Sequence, residues 1–515
     1  MSENFLTPRY RENADRTFGR MGLTTLRRTG LEKVLGEATR RNMALLEQKL
    51  APSELSPLRE SSPEAVWGAV KKSGLAKQGV PIVGMSLGNP SAYEEFPPNS
   101  RLYESLAAIC ADPTLVRQSS GYTSSFGYPP LLDQLRRVNL ADPRSIGKER
   151  SRFGDVRVYT TSGGSDAAEL VMGPLLLTPA DTLMVSDWTY IIHLGSAYFR
   201  NAHVDSYELR EDGRPDTRSL EEALSSERRN RRPVQAVVFT TIGNPVGAAM
   251  SRDDIAEHLR VISASGEKAG RPIMAIADVA YEAFRRDGAP LDPIEIAIDE
   301  KIPVPVAVID TASKGYGLCG WRLGKLAIYW PEGHFDQFRA DYFTALENKM
   351  LPQLGAPSVP LQMAFSRFFE GLERDAGLME ETMGYFRMRR SLVNGKLASL
   401  ASAMLEMDGV YLASYYDHGG RNGGLEPGAL SSFYLLFGFT KLNNLKGSGF
   451  NQAVAFGEFC LGNGAAVVNC VPGRSFLPQK RWANHPALIR VTGLTTQEDT
   501  ALFLDSVRAF AEHLG

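Results

Sequence analysis

The segment Thr311–Gly324 reads TASKGYGLCGWRLG and sets hydroxyls, a lysine and an arginine among glycines. Gly315, Gly317, Gly320 and Gly324 permit tight turns and close backbone approach. Arg322 offers a planar fork of donors suited to phosphate. With the amine of Lys314 beside it, the loop has the parts of a site for a phosphorylated aldehyde, although one lysine among glycines is also what a plain surface loop looks like. Ser162–Ser165, SGGS, opens just ahead of an apolar helical pattern, DAAELVMGPLLL. Backbone N–H groups at a helix N-terminus bind phosphate, yet the same four residues also suit a simple strand-to-helix turn. Asp278 ends an apolar run, with Tyr281 three residues on. A carboxylate there is costly unless paired; a protonated ring nitrogen is one possible partner, and service as a helix N-cap is the alternative. Asn244–Gly247, NPVG, follows another apolar run and alone reads as a turn.

These pieces need elements to hold them. Six β-branched runs fall between Val156 and Trp330: Val156–Thr161, Thr182–Asp187, Val234–Thr241, Ile273–Asp278, Val306–Thr311 and Leu326–Trp330. Continuous apolar runs suit strands buried on both faces. Strands alternating with helical stretches predict an α/β fold with a doubly wound, mostly parallel sheet. Ligands of such sheets lie beyond the carboxyl ends of the strands, where the candidate residues sit.

In their order (glycine turn, aromatic, Asn-Pro-x-Gly, Asp-x-x-Tyr, Ser-Lys, Gly-x-Arg-x-Gly) the motifs resemble the fold-type I pyridoxal 5′-phosphate (PLP) enzymes of the class I/II aminotransferase family, from about Val80 to the C-terminus. The Lys314 loop is similar to that of alanine and tyrosine aminotransferases. The resemblance implies that Lys314 carries the cofactor as a Schiff base and moves protons, and that Asp278 pairs with the ring nitrogen. It implies that Tyr281 and Asn244 bond the 3′ oxygen, and that Gly163, Gly164, Ser165, Thr311, Ser313 and Arg322 hold the phosphate. Tyr190 in DWTYIIH would stack on the ring, with His193 behind Asp278, although Ile192 stands where the motif usually has asparagine. Gly88 and Arg490 would face the substrate carboxylate, the arginine through a bidentate pair. Tyr122, in GYTSSFGYPPL, would enter the neighbouring subunit's site, which predicts a homodimer with shared sites.

The polar, charge-rich start reads as an N-terminal helical arm at 1–76; by the same resemblance the rest divides into the first part of a small domain at 77–120, a large PLP-binding domain at 121–350 and a C-terminal small α+β domain at 351–515. The small domain contains a long helix around MEETMGYFRMRRSLVNGKLASL. The 515 residues, 43% hydrophobic and 23% charged with net charge −2, are of ordinary globular composition and point to no nucleic-acid or membrane-surface partner. Four scattered cysteines make neither a disulfide framework nor a metal site. No apolar signal core or run of about 18 apolar residues occurs, so a cytoplasmic protein is expected. The expected reaction starts by removing a proton from Cα of an α-amino acid, with amino transfer foremost. Elimination, replacement or carbon–carbon bond formation on the same fold is the alternative, and a non-enzymatic regulator the third. The arm, the loop Gly419–Gly428 and Arg474, which stands where small residues are common, depart from the family pattern and could reshape the substrate entrance.

Overall fold

A computed structural model describes residues 81–515 apart from 87, 91–96, 148–155, 230–231, 287–288, 354–356, 413–429, 444–451, 464–465, 479–480, 482–484 and 486–487. The arm at 1–76 and the glycine loop at 419–428 thus lie outside the described residues, as does the side chain of Arg474.

Seven strands form the main sheet: β2 (Val156–Thr161), β3 (Thr182–Ser186), β4 (His203–Tyr207), β5 (Val234–Thr240), β6 (Met274–Asp278), β7 (Val306–Thr311) and β8 (Gly324–Tyr329). Their spatial order is β2-β8-β7-β6-β5-β3-β4. β8 runs antiparallel to β2 and β7, and the other strands share one direction. The chain is therefore α/β with a mostly parallel sheet.

Strand periodicity divides the burial between two cores. Met274 and Ile276 of β6 pack on one face with Leu183, Val185, Ala307 and Ile309. Ala275 and Ala277, between them in sequence, face the other core with Val237, Phe239 and Val308. Burial on both faces is why these strands read as unbroken apolar runs. β4 escaped that reading because HVDSY is polar and alternates in burial at the sheet edge. β8 starts at Gly324, two residues before the apolar run, and ends at Tyr329.

A smaller sheet joins β9 (Val410–Leu412), β10 (Tyr434–Phe439), β12 (Val471–Pro472) and β13 (Ile489–Thr492) in the order β12-β13-β10-β9. β1 (Ile82–Gly84) pairs in parallel with β11 (Val467–Asn469), which ties the segment before the main sheet to the C-terminal part. Trp188, Val246, Leu436, Phe476 and Leu488 form an apolar cluster between the two parts.

Three helices matter for the site. α1 (Gly164–Met172) follows β2, and its N-cap, Gly163, has φ +86° and no capping side chain. α2 (Ile191–Phe199) starts after Tyr190. α3 (Ala376–Leu405), capped by Asp375, is 30 residues long and passes behind the Lys314 turn. Among the described residues, no helix is long and apolar enough to cross a membrane.

Candidate active site

The parallel strands end at one edge of the sheet, and the predicted residues collect there. β7 leads directly into a single helical turn, Ala312–Gly315, that carries Lys314. Thr311 begins this turn, its hydroxyl accepting the Ser313 amide. Lys314 Nζ donates to Gly88 O at 2.8 Å and lies 5.9 and 5.8 Å from the ring centres of Tyr281 and Phe433. Burial disfavours its ammonium form, but the oxygens of Tyr434 and Tyr190 and the thiol of Cys319 outweigh it, so its pKa lies above the ordinary lysine value. Behind the turn, the buried guanidinium of Arg389 donates to Lys314 O at 3.2 Å and Pro97 O at 2.5 Å. Gly317 has φ +70°, and a Cβ there would sit 2.8 Å from Arg389 Nη1, so both conformation and space require glycine.

At the end of β6, Asp278 Oδ1 accepts the Ala280 amide at 3.0 Å. Its Oδ2 lies 3.3 Å from His193 Nε2, and His193 Nδ1 is 3.1 Å from Thr189 Oγ1. Tyr190 meets His193 edge-on, with ring centres 5.6 Å apart.

Next to them is a cradle for an anion. The open amide end of α1 lies against the guanidinium of Arg322 and the side chain of Thr311, whose hydroxyl is 2.8 Å from that of Ser313. Arg322 adopts φ +52° and donates to Cys319 O and Ser162 O, both at 3.0 Å. A Cβ on Gly163 would lie 2.4 Å from Arg322 Nη2, so this close approach depends on glycine.

Across the site, Arg490 projects from β13. Its Nη1 donates to Asn244 Oδ1 at 3.4 Å and its Nη2 to Ser86 O. The guanidinium carbon lies 4.1 Å from the Tyr434 ring centre and 4.9 Å from that of Phe476. Among the described residues its Nε–H has no partner, although the side chain is buried. Burial would push the Tyr434 phenol up, but Lys314 and Arg490 pull its pKa below the ordinary value. Tyr281, buried beside Tyr434, is pushed well up.

The structure thus brings together Lys314, Gly88, Asp278, His193, Tyr190, Tyr281, Asn244, Arg490 and the anion cradle. Tyr122 is different: it is 86% exposed on this chain. Tyr434, Phe433 and Phe476, which complete the walls, were not singled out from sequence. Asp187 was also missed. It is buried after β3 and receives Arg481 at 2.7 Å, with His485 Nε2 at 3.3 Å, fastening the chain before β13 to the main sheet. Among the described residues, a further set of ligand-type side chains, His203, Asp205 and Glu227, lies at the opposite end of the sheet. There Arg232 already stands against it, with Nη1 3.0 Å from His203 Nε2 and 3.8 Å from Glu227.

The residues fit PLP on observations of this chain: a buried amine, an uncapped helix end beside a guanidinium and hydroxyls, and a carboxylate backed by a histidine.

Comparison with known proteins agrees. A family model described as aminotransferase class I and II matches residues 116–395, more than half of the chain. Nicotianamine aminotransferase A of Hordeum vulgare is 25% identical over 309 residues, which cover 59% of this chain and 61% of that protein. A probable aminotransferase, TAT2, of Arabidopsis thaliana is 27% identical over 304 residues, 59% of this chain and 66% of the relative. The chain spans between half and two thirds of the length of these first curated relatives. An alanine aminotransferase from Pyrococcus furiosus superposes with a TM-score of 0.64 at 19% identity, covering 94% of this chain and 99% of that one, a likeness of fold.

Proposed function

The chain belongs to the class I and II aminotransferase family, and from that premise we propose that it is a PLP-dependent aminotransferase acting on an α-amino acid. The observation that carries this reading is the buried Lys314 amine, held at Gly88 O on the same sheet edge as the Asp278–His193 pair and the α1 cradle. Bound there, PLP would supply an electron sink for the charge that develops at the substrate Cα.

The chain's own residues divide the remaining work. Gly163, Gly164, Ser165, Thr311, Ser313 and Arg322 would bind the phosphate through the amide end of α1, hydroxyls and one guanidinium. Asp278, steadied by His193, would hold a proton on the ring nitrogen. Tyr190 would cover the ring, and Tyr281 and Asn244 would bond its 3′ oxygen. Arg490, held between aromatic rings, would take the α-carboxylate as a bidentate pair near Gly88 and so orient the Cα–H bond. The Lys314 amine would then take the Cα proton and return it elsewhere in the product. Tyr122, exposed here, would reach the site of a second copy in a homodimer. The four unpaired cysteines suit a reducing cytoplasm. The named relatives are aminotransferases, which favours amino transfer over elimination or replacement.

The test is to incubate the protein with PLP, reduce with borohydride and map the modified lysine, then run one turnover with a panel of amino acids in deuterated water. Fixation at Lys314, deuterium at Cα and accumulation of pyridoxamine phosphate are expected. Fixation at another lysine would overturn the assignment of Lys314. Exchange with loss of a substrate side-chain group, and no pyridoxamine phosphate, would overturn amino transfer.

A further inference from the structure

Gly88 is held from two directions. Its N–H donates to the Tyr434 hydroxyl at 3.1 Å, and its carbonyl accepts Lys314 Nζ at 2.8 Å. A Cβ at position 88 would lie 2.4 Å from the Tyr434 oxygen and 2.9 Å from a carbon of the Phe433 ring, so the backbone rests directly on these two side chains. Tyr434 is itself enclosed: the Tyr281 ring meets it edge-on with centres 6.0 Å apart, and Arg490 lies 4.1 Å from its ring centre. One phenol therefore connects the lysine, through Gly88, to the arginine and to Tyr281.

We propose that Tyr434 is a positioning residue for Lys314, its hydroxyl fixing the Gly88 backbone so that the Gly88 carbonyl holds the lysine amine in place. The inference rests on the reading of Lys314 as the reactive amine. It adds a residue that touches the lysine only through the main chain. An amine donating to a carbonyl is best served by the ammonium form, so the arrangement also governs its proton. The ionisable groups around it are Tyr434, Cys319, Tyr190 and Arg490, with the Tyr281 ring 5.9 Å away. Burial and Arg490 favour the neutral amine, while Tyr434, Cys319 and Tyr190 favour the ammonium and prevail. Removing the Tyr434 oxygen takes away the foremost of the opposing groups and loosens the carbonyl acceptor at once. The lysine should then lose its proton at lower pH.

Competitive labelling with an amine-acylating reagent across pH, read at the Lys314 peptide against the exposed Lys268 as internal reference, measures this without cofactor. Tyr434→Phe keeps the ring and removes the oxygen; Phe284→Leu disturbs the same aromatic packing, since its ring lies 4.7 Å from that of Phe433, and removes neither an oxygen nor a ring beside the lysine. The Lys314 midpoint should fall by about one pH unit or more in Tyr434→Phe, a tenfold gain in neutral amine at a given pH, and stay in place in Phe284→Leu. Gly88→Ala, whose Cβ would displace the hydroxyl, should reproduce the fall. An unchanged midpoint in Tyr434→Phe, or an equal shift in Phe284→Leu, would overturn the proposal. Because no cofactor is used, the result stands apart from whether PLP attaches at Lys314.

Discussion

His193 Nε2 lies 3.3 Å from Asp278 Oδ2, while the other oxygen of the same carboxylate accepts the Ala280 amide at 3.0 Å. Asp278, the last residue of β6, is therefore held at both oxygens. Asp278→Asn keeps the shape and removes the charge. In the PLP-loaded protein it should slow exchange of the substrate Cα proton by about 100-fold or more, the usual scale of a proton-transfer contribution. His193→Gln should slow it by a smaller factor. Hydrogen–deuterium exchange followed by NMR checks both, and an Asp278→Asn protein exchanging at the parent rate would remove Asp278 from the role of ring-nitrogen partner.

The phosphate cradle gives a binding prediction. Arg322→Ala should weaken PLP binding by about 2–4 kcal/mol, the scale for losing a charge-assisted partner of an anion. Gly163→Ala should also weaken it, since φ is +86° and the new Cβ would lie 2.4 Å from Arg322 Nη2. Equilibrium titration with PLP measures both. Free inorganic phosphate should compete with PLP in the parent and lose that ability in Arg322→Ala; equal competition in the two proteins would count against the cradle.

The shared site can be tested by mixing defective subunits. Lys314→Ala and Tyr122→Ala proteins should each be severely impaired alone. A hybrid dimer brings Lys314 of one subunit together with the tyrosine of the other, restoring one complete site. Activity should rise after mixing under conditions that exchange subunits. No rise, with hybrid formation shown by mass spectrometry, contradicts the placement of Tyr122 in the neighbour's site.

A stability prediction comes from His258, fully buried in the helix Arg252–Ala269. Its Nδ1 lies 2.9 Å from Thr217 Oγ1 and 3.1 Å from Asp254 O. Burial pulls its pKa down to about 4. The unfolded chain takes up that proton near pH 6.5, so between about 6.5 and 4 the unfolded state binds more protons than the folded one. This contribution is complete above pH 6.5 and is lost as pH falls toward 4, by about 3 kcal/mol in all. Urea unfolding of the parent and of His258→Gln from pH 7 to 4.5 isolates it. The gap between the two proteins should shrink on acidification, and a constant gap would refute the buried neutral histidine.

Much of this was legible in the sequence because it is local. The apolar runs ending at Thr311 and Asp278 are strands since their residues are buried on both faces, and Ser165, Tyr190, Asn244, Tyr281 and Lys314 each sit within a few positions of the end of such a run. The same locality made the order of motifs, and with it the family resemblance, readable without coordinates. HVDSY at the sheet edge gave no such signal, since only its pairing with β3 makes it a strand.

The convergence across the chain was decided by tertiary structure. Lys314 meets Gly88 across 226 positions, Arg490 meets Asn244 across 246, and Gly88 meets Tyr434 across 346. No local pattern marks Tyr434 or Arg389: one is an aromatic in a strand, the other an arginine on a long helix. The amino-acid types and their spacing along each element determine which groups are available at a strand end. Which phenol lies over the arginine, and which carbonyl waits for the lysine, depends on how separate elements pack, because burial and hydrogen bonding act between residues near in space whatever their distance along the chain.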